Sequence, residues 1–554
     1  MKKLSLLLSF FAVVSIHSQT LEAKFDSILA SYDGNQPGLA AGVIQDGKIL
    51  YLKGFGVEDV ETKVPITTQT KFQVDDLAKQ FTLLGILILE DQKKLSFEDD
   101  IRMYLPDLPK YSNTVQIKHL VNHTSGLYNL DPIKELHQID SGDTFTQEDA
   151  LKLIFAQEKL NFTPGTQFSY HRSDTEVLLL VEIIEKVSKL KFTEFMTKEV
   201  FQPLGMKNTT FQSDFSILNH TAKSYTVGEE VSYNPRTDLT LGVTNLFTTA
   251  KDLAKWFQQY SNQEKLSQLV KKLDTYVKLD SGEQYDSTWG SMTVGRYYDH
   301  PERGLSKMSW QFGLVNGYGA NFFRFQSHNV ISFVLGNNNR YNGMPAMLLA
   351  NQIMEENYTE PSEIDYRAIR FTLLDSTELK KYEGFYWDTT NGLVRQIYMR
   401  EDTLRYKRLN GNRETAILPR SKIKFQLYVQ GDTEVFVTFY KDRFEFSSLG
   451  SMPMTYHKID PLQNEVSEVD AYTGLFYNQE FDLVLHLNMA KDLLEISNFQ
   501  MEAIPFYPIV KDHFRSNTFM LSGIEFIRNS ENEVTGFEIH TDGIQGLIFK
   551  RLKS

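Results

Sequence analysis

The fold of this chain is organised around the stretch FQVDDLAKQFT, residues Phe72–Thr82, which runs directly into the apolar segment LLGILIL, residues Leu83–Leu89. A segment that is apolar on every side of a helix belongs inside a domain rather than on its surface. Asp75 and Asp76 suit the positive end of a helix dipole, and Lys79 lies one turn after Asp76. Taken alone, the stretch predicts a capped core helix that carries an Asp–Lys ion pair.

Length and composition limit the classes of protein to consider. The chain has 554 residues, which is enough for more than one domain, and its 41% hydrophobic and 23% charged content is typical of folded proteins. A net charge of −13 without a long basic run argues against nucleic acid as a partner. The absence of cysteine excludes disulfides, thiolate metal sites and a cysteine lipid anchor. His123 and His171 are not at metal-ligand spacing with any partner, so we expect them to be ordinary polar residues. The sequence indicates no metal and no organic cofactor.

The first 18 residues have the pattern of a secretory signal. Lys2 and Lys3 form a charged start, and the apolar run Leu4–Ile16 is too short to span a bilayer. Cleavage after Ser18 would leave Gln19 as the first residue, and an uncleaved anchor is the alternative. No later segment is long and apolar enough to span a membrane. We therefore expect a secreted, periplasmic protein that is soluble after signal cleavage.

Residues 19–360 mix helical and strand-like patterns, and both ends of this region are strand-like. The turn Asp46-Gly47 predicts a hairpin between strands near residues 40–57, and the runs Gly319–Phe325 and Val330–Leu335 predict a second antiparallel pair. Helical patterns occupy other parts of the region, at Val177–Val187, Thr249–Tyr260 and Met344–Glu356. These patterns predict an α+β domain whose single sheet joins the two ends of the region. Residues 361–376 are the predicted linker to the rest of the chain.

The C-terminal part of the chain contains an internal repeat of short strand-like segments. The segment Glu378–Tyr386 (ELKKYEGFY) aligns with Glu468–Phe476 (EVDAYTGLF). The two copies extend over residues 377–460 and 467–554, and long helical patterns are missing from both. This organisation predicts two small antiparallel barrels or sandwiches, and a single larger barrel made from two halves stays possible.

Several segments in order along residues 30–355 resemble one family, the serine β-lactamase and penicillin-binding-protein superfamily, in its class C and D-aminopeptidase or esterase branch. They are the opening stretch, HLVNHTSGL at His119–Leu127, PGTQFSY at Pro164–Tyr170 and FQPLGM at Phe201–Met206. The resemblance implies an antiparallel sheet flanked by helices, with a helical subdomain. The C-terminal repeats resemble the lipocalin-like barrels that are attached to some D-aminopeptidase and esterase relatives.

The active positions implied by the resemblance are only partly retained. The nucleophilic serine of the family's S-x-x-K motif falls on Asp76, whereas Lys79, the family's base and proton shuttle, is kept. The tyrosine of Y-x-N is kept as Tyr170, but its asparagine falls on Arg172. The third motif, H-x-G or K-T-G, falls on Gln311-Phe312-Gly313. The resemblance therefore implies Asp76, Lys79 and Tyr170 as catalytic positions, and Arg172, Gln311 and Gly313 as binding positions.

The change at position 76 matters because acyl transfer in this family needs a hydroxyl that a neighbouring base activates. An ionised carboxylate would form a mixed anhydride and would repel the developing oxyanion. We therefore expect the serine mechanism to be lost. Ser125 and Ser173 are the substitute nucleophiles to weigh, and their motif and loop positions favour structural roles.

The changes also form a pattern of charge. A buried carboxylate without a nearby positive charge is costly. The positive charges of Lys79 and Arg172 would compensate the negative charge of Asp76. We therefore expect these three side chains to form a charge cluster that locks or re-purposes the site. Random drift of an unused site is the competing interpretation.

Three functions remain open at this point. The leading one is a catalytically silent relative that binds a peptidoglycan-, peptide- or glycan-like ligand or a protein partner. The second is a hydrolase of an amide or ester that uses Asp76 or Tyr170 with Lys79 as base. The third is a scaffold whose C-terminal repeats bind a partner.

Overall fold

The two ends of the N-terminal region lie side by side in one six-stranded antiparallel sheet with the strand order β2-β1-β11-β10-β9-β8. Strand β1 pairs with β11 from Leu39 opposite Gly336 to Gln45 opposite Val330, which confirms the predicted sheet. The computed structural model describes residues 21–137, 144–168, 174–214, 218–235, 237–282, 296–300, 305–340, 344–354, 364–388, 393–409, 413–431, 434–448, 453–460, 469–491, 493–498, 501–518, 521–541 and 543–553. The predicted signal segment, residues 1–18, lies outside these ranges.

Helices and short strands occupy the chain between the two ends of this sheet. In the described part of residues 21–354 the strands are β1 (Leu39–Gln45), β2 (Lys48–Phe55), β3 (Lys71–Val74), β4 (Thr210–Phe211), β5 (Tyr225–Val227), β6 (Val231–Tyr233), β7 (Leu246–Thr249), β8 (Arg296–His300), β9 (Leu305–Val315), β10 (Tyr318–Phe325) and β11 (Val330–Gly336). The α-helices are α1 (21–29), α2 (Leu77–Asp91), α3 (Ile117–Val121), α4 (Leu130–Leu136), α5 (Gln147–Ala156), α6 (Asp174–Ser188), α7 (Phe192–Met196), α8 (Ala250–Gln258), α9 (Lys265–Lys272) and α10 (Met344–Met354).

The Asp46-Gly47 turn joins β1 and β2 as predicted. Both residues have positive φ, 49° at Asp46 and 73° at Gly47, which is the requirement of a two-residue turn whose twist matches the strands. On one face of the sheet, α1 and α10 pack through Phe25, Leu29 and Leu349. The other face carries α2 and the remaining helices, so the sheet separates two apolar layers.

Helix α2 is the buried centre of this region. Every residue from Leu77 to Leu89 is buried, as its unbroken apolar run predicts. Gly85 lets the neighbouring helices approach closely, because a Cβ there would lie 2.9 Å from Ile184 Cδ1 and 3.2 Å from Phe195 Cε1. The helix is therefore held against α6 and α7, and its N-terminal end points to β9.

The C-terminal repeats form two closed barrels, which decides between the alternatives that the sequence leaves open. The first barrel follows α11 (Ser376–Lys380) and consists of β12 (Gly384–Asp388), β13 (Leu393–Arg400), β14 (Thr403–Arg408), β15 (Arg413–Pro419), β16 (Lys424–Leu427), β17 (Val435–Phe439), β18 (Arg443–Ser448) and β19 (Met454–Ile459). The second follows α12 (Val469–Tyr472) and consists of β20 (Gly474–Asn478), β21 (Leu483–Ala490), β22 (Leu493–Ser497), β23 (Ile504–Val510), β24 (His513–Arg515), β25 (Gly523–Arg528), β26 (Val534–Thr541) and β27 (Ile544–Arg551). In each barrel the first strand pairs with the last.

The described part of the predicted linker lies along the first barrel. The backbone nitrogen of Ile364 donates to the Gly431 carbonyl at 3.0 Å, and that of Thr372 donates to the Pro419 carbonyl at 2.8 Å. The Tyr366 hydroxyl donates to the Leu427 carbonyl at 3.0 Å. None of the helices in the described ranges is long and apolar enough to cross a membrane.

Candidate functional site

Asp76 and Lys79 form the predicted ion pair at the start of α2. The Asp76 Oδ1 atom lies 3.1 Å from Lys79 Nζ, the Lys79 side chain is fully buried, and Asp76 is 5% exposed. Among the described residues, the Asp76 side chain makes no capping hydrogen bond to the helix, so the expectation of a capped helix is wrong on this point. The carboxylate points toward the ammonium instead. A buried cation without a partner is costly, whereas other groups can satisfy the end of a helix.

Asp174 is a second partner of Lys79 that was not predicted from the sequence. Its Oδ1 atom lies 2.9 Å from Lys79 Nζ, and 27% of its side chain is exposed. Asp174 is the first residue of α6, four residues after Tyr170, where an acidic side chain also suits the helix dipole. The available signal was an acid that lies between the family motif at Tyr170 and the predicted helix Val177–Val187. The structure thus places two carboxylates around one ammonium.

This arrangement fixes the protonation state of Lys79. Burial alone would lower the pKa of Lys79, but the charges of Asp174 and Asp76 outweigh it and raise the pKa above its usual range. The side chain is therefore an ammonium at neutral pH. An ammonium cannot accept a proton, so Lys79 in this state is not a general base.

A second group of charges lies beside the first. Burial and the charge of Asp174 raise the pKa of Asp131 to about 6, against the opposing effect of Lys134 and Lys79. Lys134 Nζ lies 2.9 Å from Asp238 Oδ2. Burial would lower the pKa of Lys134, but Asp238 outweighs it and raises the pKa. Asp131 and Lys134 both belong to α4, which brings this helix into the electrostatics of the Lys79 site.

Gln311 and Gly313 lie on β9 directly against the start of α2. Gln311 Nε2 donates to the Asp76 carbonyl at 2.9 Å, and its Oε1 atom accepts from Gln80 Nε2 at 2.6 Å. Gln80 in turn accepts from Trp256 Nε1 at 3.1 Å. A Cβ at Gly313 would lie 2.9 Å from the Asp76 backbone nitrogen. Gln311 therefore anchors the helix start, and only a glycine allows this separation at position 313.

Two of the predicted site residues are not placed. Tyr170 and Arg172 lie outside the described residues, as do His171 and Ser173. The Asp76–Lys79 part of the predicted charge cluster is present, and the contribution of Arg172 stays a prediction. The catalytic and binding roles implied for the six positions also stay predictions.

Ser125 and His123 belong to a separate buried cluster around Glu176. The Ser125 hydroxyl donates to Glu176 Oε1, and His123 Nδ1 lies 2.7 Å from Glu176 Oε2. Ser125 Oγ also accepts from the Leu127 backbone nitrogen at 3.2 Å. Because the Ser125 hydroxyl is directed at a carboxylate rather than at the imidazole, the cluster ties a loop to α6. This agrees with the structural interpretation of Ser125. In the described ranges, no group of three His, Asp or Glu side chains is arranged to hold a metal ion.

A family model described as Beta-lactamase matches residues 21–352, which is more than half of the chain. The chain belongs to the Beta-lactamase family.

Among known proteins, the chain is 26% identical over 441 residues to penicillin-binding protein 4* of Bacillus subtilis strain 168, covering 74% of this chain and 91% of that protein. It is 28% identical over 273 residues to protein flp of Staphylococcus aureus strain MRSA252, covering 46% of this chain and 52% of flp. The chain thus spans about half the length of flp and most of penicillin-binding protein 4*.

Among solved structures, the chain is similar to the octameric penicillin-binding protein homologue from Pyrococcus abyssi, with a TM-score of 0.53 and 21% identity over 79% of this chain and 99% of that chain. It is also similar to EstCE1, described as a hydrolase with promiscuous acyltransferase activity, with a TM-score of 0.50 and 19% identity over 61% of this chain and 99% of that chain. At these identities the likeness bears on the fold alone. It agrees with the α+β domain expected from the resemblance.

Proposed function

We propose that this protein is an exported member of the Beta-lactamase family that has lost serine acyl transfer and binds a peptidoglycan-, peptide- or glycan-like ligand at the former catalytic site. The observation that carries this proposal is the Asp76 carboxylate, which stands at the serine position of S-x-x-K and is paired with Lys79 at 3.1 Å. A paired carboxylate offers neither a nucleophilic hydroxyl nor a free base to activate one.

The charge of the site supports a particular kind of ligand group. Asp76 and Asp174 place two carboxylates against the single ammonium of Lys79. Such a site favours a cationic or neutral hydrogen-bonding group and repels an anion. Penicillin-binding protein 4* is named for binding penicillin, which carries amide groups as well as a carboxylate. We extend only the amide-bearing ligand class to this chain, with the amide rather than a carboxylate as the group that meets the two acids. Asp174, the most exposed of the three side chains, is where the ligand group would meet the site.

Covalent labelling tests the loss of acyl transfer. The purified protein is incubated with a fluorescent penicillin and with chromogenic β-lactam and ester substrates, beside a variant that carries Asp76→Ser, Arg172→Asn and Gln311→His. We expect no labelling and no turnover with the natural sequence, and labelling in the variant. Stoichiometric labelling of the natural sequence would refute the proposal.

Co-sedimentation with insoluble peptidoglycan tests ligand binding itself. Val315 lies on β9 two residues after Gly313, so strand alternation places both on the same face of the sheet. Val315→Arg should weaken co-sedimentation at least about fivefold because it adds bulk beside the site. The matched control is Val484→Arg, which changes a half-buried valine on β21 of the second barrel and should leave binding unchanged. Equal binding by both variants would exclude the Lys79 site as the binding surface.

Export is tested by the mature N-terminus. Expression of the full chain with its leader, followed by mass spectrometry of the exported fraction, should give a protein that begins at Gln19. A protein that keeps residues 1–18 would indicate the membrane-anchored alternative.

Asp131 favours a second candidate function, a hydrolase with rewired catalytic residues. A carboxyl group with a pKa of about 6 is in the range of a general base at neutral pH, which Lys79 is not. Ester turnover by the natural sequence would rise with pH through about 6 and disappear in Asp131→Asn. Turnover that is absent in the natural sequence, or unchanged in the variant, would remove this candidate.

A further inference from the structure

A cavity of about 290 Å³ lies where the two barrels meet, away from the Lys79 site. The first barrel contributes Trp387 of β12, and the second contributes strands β23 to β26. Ile509, Phe514 and Ile524 form its apolar wall, and Gly523 leaves part of the wall without a side chain. The volume is close to the lower end of the range in which proteins hold small ligands.

The interior of the second barrel does not offer a comparable space at its aromatic core. That core is filled by side chains that are at most 4% exposed, namely Phe476, Phe526, Phe537 and Phe549. The rings of Phe537 and Phe549 stack with centroids 5.0 Å apart. An interior packed in this way has no room for a guest molecule. The cavity at the junction of the barrels lies outside this packed part of the second barrel.

Two buried polar atoms at the cavity lack a hydrogen-bond partner among the described residues. They are Nε1 of Trp387, which can only donate, and Nε2 of His540. The carboxylate oxygens nearest to His540 Nε2 belong to Glu538 and Glu525, at 3.5 and 3.8 Å, which is too long for a normal hydrogen bond. Most buried polar atoms in proteins are paired, so two unpaired atoms in one cavity indicate a missing partner.

The charges around the cavity limit the chemistry of that partner. Burial lowers the pKa of His540, although Glu538 and Glu525 oppose the change, so its imidazole is neutral at neutral pH. Glu525 is 47% exposed at the rim and lies 3.2 Å from His513 Nε2. Carboxylates at the rim repel an anionic ligand, whereas a neutral imidazole and an indole N–H suit a group that both donates and accepts.

We propose that the junction of the two barrels is a binding site for a small amphipathic molecule with a neutral head group, an alcohol or a primary amide. The head-group oxygen accepts from Trp387 Nε1, and its N–H or O–H donates to His540 Nε2. The apolar body lies against Ile509, Phe514 and Ile524. This site is separate from the proposed function at Lys79 and does not depend on it.

Displacement of a neutral fluorescent probe, N-phenyl-1-naphthylamine, tests the proposal on the full-length protein. The probe should bind saturably, and 1-octanol and octanamide should displace it. Octanoate, which has the same chain length but is ionised at about pH 8, should displace it at least about tenfold more weakly. Trp387→Phe keeps the aromatic surface but removes the donor, and should weaken octanamide about fivefold to tenfold.

Further variants separate a site from surface adsorption. Ile524→Trp enlarges a buried residue of the cavity wall and should abolish probe binding. His540→Phe should weaken octanamide as Trp387→Phe does, whereas the matched control His486→Phe, at an exposed position on β21, should change nothing. Circular dichroism melts identify variants that do not fold. If Ile524→Trp does not fold, the affinity of Trp387→Phe for octanamide is enough to test the proposal. Absence of saturable binding, equal displacement by octanoate, or unchanged affinity in Trp387→Phe would each overturn the proposal.

Discussion

Lys79 is a fully buried cation, and the two carboxylates beside it determine whether it stabilises or destabilises the domain. Removing a charge from water costs several kcal/mol, which close partners offset only when they remain in place. Asp76 lies 3.1 Å and Asp174 2.9 Å from the Lys79 nitrogen. If the ammonium is removed, these two carboxylates face each other without compensation. The cluster therefore behaves as one unit rather than as two separate ion pairs.

Replacing Lys79 tests this cooperation. We expect Lys79→Met to lower the free energy of unfolding by about 3–5 kcal/mol, because it leaves buried charge unpaired. Adding Asp76→Asn and Asp174→Asn to the same protein should recover most of the loss. The measurement is urea denaturation.

The matched control for this test is a surface pair of the same chemistry. Lys53 Nζ lies 2.7 Å from Asp26 Oδ2 with both side chains substantially exposed, so Lys53→Met should cost less than about 1 kcal/mol. Equal effects at Lys79 and Lys53 would show that burial of the cluster is energetically unimportant.

Asp131 makes stability depend on pH with a sign opposite to that of most carboxylates. Its pKa is raised to about 6 in the folded protein, so the folded state holds the proton more tightly than the unfolded chain, whose pKa is about 3.9. Between about pH 4 and pH 6 the unfolded chain has released this proton while the folded protein still holds it. The free energy of unfolding therefore falls as the pH rises through this range. Asp131→Asn should therefore stabilise the protein by about 1–3 kcal/mol at pH 8 and bring no such gain at pH 4.

A carboxylate of the ordinary kind provides the comparison for Asp131. Asp149 lies in the first turn of α5, and hydrogen bonds from Thr146 lower its pKa. Asp149→Asn should cost stability at pH 8, where these bonds are complete, and less as pH falls through the lowered pKa. Thermal melts at both pH values measure the two variants. Loss of stability at pH 8 in both would contradict the raised pKa of Asp131.

At the scale of elements, the contact between β9 and the start of α2 sets the geometry of the site. Gly313→Ala would place a Cβ 2.9 Å from Asp75 Cβ and 2.9 Å from the Asp76 nitrogen, closer than real Cβ contacts. We expect a loss of about 1–3 kcal/mol as the strand moves off the helix. Gly228→Ala is the control, since its nearest contact is the Glu230 carbonyl oxygen at 3.9 Å, and it should change stability by less than about 0.5 kcal/mol. Urea denaturation of both variants measures the difference. If Gly313→Ala changes the free energy of unfolding as little as Gly228→Ala does, β9 can move away from α2 without a cost.

Elements with a local cause could be predicted from the sequence, and contacts between distant segments could not. The Asp46-Gly47 turn and the apolar run of α2 carry their own signals, a pair of turn residues and a helix without a polar face. Asp174 was missed because its pairing with Lys79 depends on how α6 packs on α2. Closure of the first barrel likewise depends on β12 meeting β19, with Phe385 opposite Ile459. The family motifs single out Gln311 as a candidate site residue, but they do not indicate the hydrogen bonds that it makes to Asp76 and Gln80.

At the scale of the whole molecule, the second barrel holds both ends of α4, the helix that carries Asp131 and Lys134. At the N-terminal end, the Asn129 nitrogen donates to the Gly543 carbonyl at 2.9 Å. At the C-terminal end, Asn498 Nδ2 donates to the Leu136 carbonyl at 2.9 Å. The position of α4, and with it the charge beside Lys79, is therefore coupled to the second barrel, which contributes none of the described residues around Lys79.

Asn161 offers the sharpest test of this coupling, because its side chain bonds the second barrel through both polar atoms. Its Nδ2 donates to the Gly543 carbonyl at 2.9 Å, and its Oδ1 accepts from the Gln545 nitrogen at 2.8 Å. Asn161→Ala should cost about 1–3 kcal/mol and speed amide hydrogen exchange in α4, since two hydrogen bonds across the interface are lost. Asn113→Ala is the control, because that exposed side chain donates only to its neighbour Ser112 at 3.2 Å among the described contacts. Faster exchange in α4 for Asn161→Ala alone would establish that the barrel supports the site, and unchanged exchange would show that α4 is held by its own domain.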